Sequence, residues 1–259
     1  PSKNGWLSQT AADYLLAETA LYMGDYKKAA EYADDVIEQG EDSKIGGESY
    51  SRLWRTESYG GRIFAFNTQN SYYIAIEYDS SEGDYYAVNP AFTFTDEDVR
   101  AKYTLYPKDQ NGKTRNLMGK YNMMNKQGTQ PNYINRMRYA GAYFIAAEAY
   151  ARDNNEQMAR ERINHYLQLV SADPIADNTT GDALVQAILA EKYKEFVGEG
   201  SNYFDLKRTH SDLNRLSTWG GAATAKISKD DYRWNFPIPA SEYKYNNNVT
   251  QNDKWPINR

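Results

Sequence analysis

The chain has no cysteine. That removes any disulfide framework, any thiolate metal site and any cysteine nucleophile. It has only two histidines, His165 and His210, 45 residues apart. A zinc centre or a Ser-His-Asp arrangement would have to be assembled from distant parts of the fold. Basic residues are the minority, 30 against 35 acidic, for a net charge of -5. A nucleic-acid partner needs a basic footprint, so this balance argues against one. No apolar run approaches the roughly 20 residues of a membrane-spanning helix. There is no Walker loop, dinucleotide fingerprint or nucleophile elbow. The Gly60-Gly61 and Gly220-Gly221 pairs read as turns.

What the chain does have is tyrosine. Aromatic residues make up 14% of its 259 positions, with 24 Tyr against 8 Phe and 5 Trp. Tyrosine combines an apolar ring with a hydroxyl, which suits wet binding surfaces as well as helix packing. The enrichment is local. Residues 45–90 hold ten aromatics in 46 positions, about 22%.

Helical periodicity organises the rest. Residues 10–39 read as a helical hairpin. Leu15, Leu16, Thr19, Ala20 and Met23 recur at helical spacing, and Ala11, Ala12 and Ala17 permit close approach. Gly24 and Asp25 form the stop and the next cap. The second helix turns Ala29, Ala33, Val36 and Ile37 inward and leaves Lys27, Lys28, Glu31, Asp34, Asp35 and Glu38 to solvent. The same unit recurs at 139–169. A shift of 130 residues lays residues 15–20 on 145–150, Gly24 on Asn154, Ala29 on Ala159, Ala33 on Ile163 and Ile37 on Leu167. Gly and Asn are the residues that most readily take the left-handed conformation such a turn requires. These are two related tetratricopeptide-like hairpins, spaced too far apart for an uninterrupted array with its period of about 34 residues.

Between them, 40–131 forms an irregular insertion, with strand-like runs at 62–66 and 72–78 and polar loop clusters at 68–71, 79–84 and 109–112. A third long helix is expected over 181–197, capped by Asp182, with Leu184, Ile188, Glu191 and Glu195 on one face. A shorter helical element is expected over 204–216. The segment 234–239 contains two prolines and cannot be regular helix. The fold class is therefore mainly α: helical hairpins, an aromatic-rich insertion and an extended carboxy-terminal tail, with the closing helices and tail at 181–259.

Four stretches, in order, carry a resemblance. At 191–208 Glu191, Glu195, Glu199, Gly200, Phe204, Asp205, Leu206 and Arg208 fit the late-helix pattern of the SusD/RagB family. Lys192 stands where Arg is usual there, and Asn202 and Tyr203 where Arg-Trp is common. Residues 22–29 resemble that family's hairpin turn, 138–149 its second tetratricopeptide-like entry, and 236–252 its closing tail. The resemblance spans nearly the whole chain. It implies one SusD-like domain over 1–259, cut short at the amino terminus, where the signal, the lipidated cysteine and the early helices have no counterpart. It implies a surface-exposed outer-membrane lipoprotein of a Gram-negative cell, its lipid anchor not present in this chain. Such a protein binds oligosaccharide without cleaving it and delivers it to a SusC-like TonB-dependent transporter. The RagB branch implies peptide as the alternative ligand. A scaffold that binds only the transporter is the third reading.

No catalytic residue, metal ligand or cofactor is expected. Glu191 and Glu195 are one helical turn apart, and paired carboxylates carry out glycoside hydrolysis, but caps or ion pairs with nearby bases such as Arg208 account for them. Asp96, Glu97 and Asp98 lack the calcium-loop spacing and suit a helix amino terminus. The best candidate for ligand contact is the insertion. Sugar rings stack their C–H faces on aromatics while their hydroxyls seek amides. Gln69, Asn70, Tyr72 and Tyr73 offer both within a few residues, and Tyr78, Tyr85 and Tyr86 extend the platform. Trp54 is expected in the core.

Overall fold

The computed structural model describes residues 7–54, 61–67, 93–110, 112–120, 133–214, 226–246 and 248–256. Its contacts group the chain into two compact units, 1–200 and 201–259.

In the first unit, α1 (Gln9–Met23) and α2 (Tyr26–Glu38) form one hairpin, and α4 (Tyr139–Arg152) and α5 (Glu156–Leu169) form another. The two turns are built alike. Gly24 has φ 77° and Asn154 φ 62°, both left-handed. Asp25 N–H donates to Ala20 O at 2.9 Å, and Asn155 N–H donates to Tyr150 O at 2.8 Å. Asp25 then accepts from Lys28 N–H and Asn155 from Met158 N–H, each opening the following helix. The shift of 130 residues thus preserves backbone conformation, carbonyl partner and cap.

The helix α4 lies between two apolar layers. One face, with Ala142, Ile145, Ala146 and Ala149, packs with Ala29, Ala33 and Val36 of α2 and Ala11, Tyr14 and Ala17 of α1. The other face, with Tyr143, Phe144 and Ala147, packs with Ala159, Ile163, Tyr166 and Leu167 of α5, Leu184 and Ile188 of α6 (Gly181–Phe196), and Tyr50, Leu53 and Trp54. The first layer is built largely of alanine, which lets backbones approach. At Gly141 the approach is closest: a Cβ there would lie 2.0 Å from the hydroxyl oxygen of buried Tyr14.

Several expectations need correction. Leu15, Leu16, Thr19 and Met23 do not form the inward face of α1. They are exposed, Met23 to 79%, and Ala11, Tyr14, Ala17, Ala20 and Leu21 are buried instead. The α1 helix is apolar on two sides, so periodicity alone does not say which side packs within its own hairpin. Asp34 is not simply solvated. It accepts from Tyr150 OH at 2.7 Å and from Arg162 Nε at 2.7 Å, joining the two hairpins. The N-cap of α6 is Thr180 rather than Asp182, and Gly181 N–H is satisfied by Glu156 Oε1 at 2.7 Å.

The insertion leaves and re-enters this stack through short elements. Strand β1 (Arg62–Asn67) pairs antiparallel with β4 (Tyr133–Arg138), placing Ala65 opposite Asn135 and Asn67 opposite Tyr133. Strand alternation sends Ile63 and Ala65 inward and Phe66 outward. A short helix, α3 (Val99–Thr104), and a hairpin of β2 (Leu105–Gln110) and β3 (Lys113–Met118) lie between them in sequence. Asp98 caps α3 by accepting from Arg100 N–H, so its acids do mark a helix start. Trp54 is fully buried.

In the second unit the helix after Gly200 is shorter than 204–216. α7 spans Asn202–Arg208, and strand β5 (Leu213–Asn214) follows, paired with β6 (Lys226–Ile227). After Trp234 the tail is irregular, extended at Asn235 and Pro239, with one helical turn, α8 (Ala240–Tyr243), and a turn near Lys254. Its amides hold it. Gln251 accepts from Ile238 N–H at 2.7 Å and donates to Ile238 O at 3.0 Å, while Asn252 donates to Phe236 O at 2.7 Å. Prolines 237 and 239 prevent an ordinary ladder, so side-chain amides replace backbone partners. Tyr203 stacks on Phe236, ring centroids 5.4 Å apart, and donates its hydroxyl to Trp234 O at 2.9 Å.

Candidate functional site

The seven residues expected to touch ligand, Gln69, Asn70, Tyr72, Tyr73, Tyr78, Tyr85 and Tyr86, lie outside the described residues. What the structure describes is the frame from which their segment departs. At its amino-terminal stem, Phe66 is 55% exposed and meets partly buried Phe64 edge-on, centroids 5.3 Å apart. Periodicity marks 62–66 as a strand but cannot tell which face meets solvent. The pairing with β4 decides that.

Below this ribbon the stems are clamped by polar groups. Arg62 Nη2 and Asn135 Nδ2 both donate to Leu53 O, each at 2.8 Å. Arg62 Nε also donates to Asn135 Oδ1, closing the triangle. These groups are buried, so their mutual hydrogen bonds offset a desolvation cost that would otherwise be large.

Deeper still is a cluster of charges. Arg138 Nη1 donates to Glu195 Oε1 at 2.6 Å, and its Nη2 to Glu199 Oε1 at 2.9 Å. Lys120 Nζ donates to Glu195 O at 2.8 Å and to Glu199 Oε1 at 2.6 Å. Arg100 grips Asp98 and reaches Glu191 Oε2 at 2.8 Å. Tyr50 OH completes Glu195 Oε1 at 3.1 Å. Aromatic faces line the cations: Lys120 Nζ lies 4.9 Å from the Trp54 ring centre, and Arg138 Cζ 4.3 Å from that of Phe196.

Burial pushes the Glu195 carboxyl up, but Arg138, Arg100 and Lys120 outweigh it and hold the carboxyl below its ordinary value. Burial lowers the Lys120 ammonium, Glu199 and Glu195 raise it, Arg138 lowers it further, and the net direction is down. Burial raises the Tyr50 hydroxyl well above its ordinary value, and Glu195 adds to that. Glu191, Glu195 and Glu199 thus each find a partner far away in sequence, and Glu191 also pairs locally as expected, with Lys194 at 2.6 Å. Arg208 is not among them; it pairs with Asp205 at 2.7 Å. Glu195 is wholly buried and ionised against cations, so it presents neither a titrating acid nor an open nucleophile to a substrate. What the cluster does is tie three parts of the insertion's frame, Asp98–Arg100, Lys120 and Arg138, to the end of α6.

A cleft of about 720 Å³ opens elsewhere, between the outer face of α5 and residues 95–97 and 171–174. Its walls carry Glu97, Glu161, Asp173, Gln168 and His165, with no Phe, Tyr or Trp among its lining. His165 Nε2 donates to Asp42 Oδ2 at 3.0 Å, and its ring stacks on Tyr143. Among the described residues no group of three His, Cys, Asp or Glu side chains is arranged to hold a metal ion.

The stacked hairpins, each closed by a left-handed turn and joined through an alanine layer, define a helical-repeat protein of tetratricopeptide-like type. The sequence profile of the SusD family matches residues 8–255, and the chain belongs to that family. Solved structures agree in fold. A SusD superfamily protein from Bacteroides vulgatus superposes with TM-score 0.79 at 22% identity, over 99% of this chain and 61% of its own. A SusD-like carbohydrate binding protein from the same species gives 0.69 at 24% identity, over 82% of this chain and 48% of its own. Surface glycan-binding protein A from Bacteroides uniformis gives 0.69 at 20%, over 96% and 61%. The chain thus spans between about half and three fifths of the length of these structures. No curated protein matches it.

Proposed function

We propose that this chain belongs to a surface-exposed lipoprotein of the outer membrane that binds oligosaccharide and passes it, uncleaved, to a SusC-like TonB-dependent transporter. The observation that carries the reading is membership of the SusD family over 8–255. Two relatives of similar fold support the ligand class, one a carbohydrate binding protein and one a surface glycan-binding protein. The contact surface is the aromatic and amide segment with Gln69, Asn70, Tyr72, Tyr73, Tyr78, Tyr85 and Tyr86, and Phe66 at its stem extends the apolar platform. An aromatic face suits the C–H face of a pyranose ring, and the amides suit its hydroxyls. A reading without cleavage is supported by Glu191, Glu195 and Glu199, which are engaged by Arg100, Arg138 and Lys120 rather than open to a glycosidic bond.

Isothermal titration against a panel of polysaccharides tests this. Binding that weakens at least tenfold in the Tyr72→Ala/Tyr73→Ala double variant, and by a smaller factor in Phe66→Ala, is the expected result. Peptides binding where no glycan does would overturn it in favour of a peptide-uptake role. Nutrient uptake that survives loss of these rings would leave only the transporter as partner. Release of reducing ends that disappears in Glu191→Gln would replace binding by hydrolysis.

A further inference from the structure

Arg100 Nη1, Thr104 Oγ1, the Tyr166 hydroxyl and Glu195 Oε2 are buried polar atoms with no hydrogen-bond partner among the described residues. Their side chains are at most 1% exposed. Buried polar groups are normally paired, with protein or with ordered water. These four belong to one neighbourhood. Arg100 and Thr104 are the two buried residues of α3 and stand four apart, so both project from the same face of that helix. The other nitrogens of Arg100 are spent on Asp98 and Glu191, and the guanidinium interacts electrostatically with Tyr166 of α5 and Glu195 of α6. Tyr166 lies beside Glu195, close enough to steady its charge, yet the two do not meet in hydrogen-bond geometry.

The unspent valences are complementary. Arg100 Nη1 can only donate. Glu195 is ionised, so its Oε2 can only accept. Burial holds the Tyr166 hydroxyl protonated, well above its ordinary value, and it and Thr104 can each donate or accept. We propose that a single water molecule is bound among these atoms, accepting from Arg100 Nη1 and one hydroxyl and donating to Glu195 Oε2 and the other hydroxyl. Two donors and two acceptors are what a buried water brings. Charge selects water over an ion. The cations Arg100, Lys120, Arg138 and Lys194 are already matched by the anions Asp98, Glu191, Glu195 and Glu199. A bound anion would meet the Glu195 carboxylate, and a bound cation the Arg100 guanidinium. The ion pair of Arg100 with Glu191 ties α3 to α6. The water adds α5 through Tyr166, so the insertion's frame, the second hairpin and α6 share one hydrated joint.

High-resolution diffraction from crystals of the 259-residue chain grown in sodium bromide tests this. The expected result is one oxygen peak about 2.7–3.2 Å from both Arg100 Nη1 and Glu195 Oε2, without anomalous signal. An anomalous bromide peak there overturns the proposal in favour of an anion. Tyr166 closed directly on Glu195 Oε2, with no solvent peak beside Arg100 Nη1, overturns it in favour of a dry joint. Oxygen-17 relaxation dispersion of the solvent gives a second reading, because it registers waters held for long times. The Thr104→Val/Tyr166→Phe double variant removes two of the four partners and adds no charge. It should lose the contribution of about one long-lived water while its circular dichroism remains that of the folded chain. A folded double variant with unchanged dispersion also overturns the proposal.

Discussion

Two joints of the first unit are made in opposite ways. On one side α4 meets the first hairpin through alanines and glycine, with Gly141 pressed against Tyr14. On the other, the end of α6 meets the insertion's frame through buried charges, with Glu195 fixed by Arg138. The alanine layer gains from close packing and tolerates little added volume. The charged cluster has a different sensitivity. Its groups have been taken out of water at high cost, so it holds only while every partner is present. An alanine layer favours any well-fitting helix, whereas a set of matched charges accepts only the right partner. The frame of the insertion is joined by the more selective of the two.

The largest effect should come from breaking the charged side. Arg138→Ala leaves Glu195 and Glu199 buried without their main cation and should cost about 3–5 kcal/mol. Urea unfolding would measure it, and a loss below about 1 kcal/mol would show that the cluster is less demanding than its burial implies. On the alanine side, Gly141→Ala forces the added methyl against the Tyr14 ring and should cost about 1–3 kcal/mol. If Gly141→Ala proved the more damaging of the two, the contrast drawn here would be reversed.

A pH series sharpens the same comparison. The Glu195 carboxyl titrates below its ordinary value of 4.5 in the folded state. As pH falls through that range the unfolded chain takes up the proton first, so stability is full above it and is lost on acidification. Unfolding free energies between about pH 6 and pH 3 should fall, and Glu195→Gln should flatten that fall. An identical slope in the variant would remove Glu195 from the account. The smallest effect is expected at the partly exposed pair of Asp34 and Arg162. Asp34→Asn should cost no more than about 1 kcal/mol, read as a small shift in the thermal midpoint.

The alanine side was legible in the residues and the charged side was not. Period, turn and cap are local signals. Gly24 and Asn154 announce the same left-handed turn, and Ala29, Ala33 and Val36 lie on one face wherever the helix packs. The face of α1 could be misread because Leu15 and Leu16 compete with Ala11 and Ala17 for the inside, and the leucines are the more apolar. Glu191 does meet a local base, Lys194 at 2.6 Å, but the other partners of Glu191, Glu195 and Glu199 come from positions 100, 120 and 138, which no short spacing links. Spacing within 191–208 pointed to Arg208, but that side chain closes on Asp205 within its own helix. Phe66 illustrates the remaining gap. A strand's alternation separates its two faces, yet only pairing with β4 decides which of them meets water.

Trp54 gives the buried cluster a consequence for the bench. It is the sole tryptophan among the described residues of the first unit, and its ring lies within 4.9 Å of the Lys120 ammonium and 5.5 Å of the Arg138 guanidinium. The indole is thus an optical gauge already installed at the joint between stack and insertion. Its emission should register any rearrangement that moves either cation, including one that ligand binding at the proposed insertion site would set off.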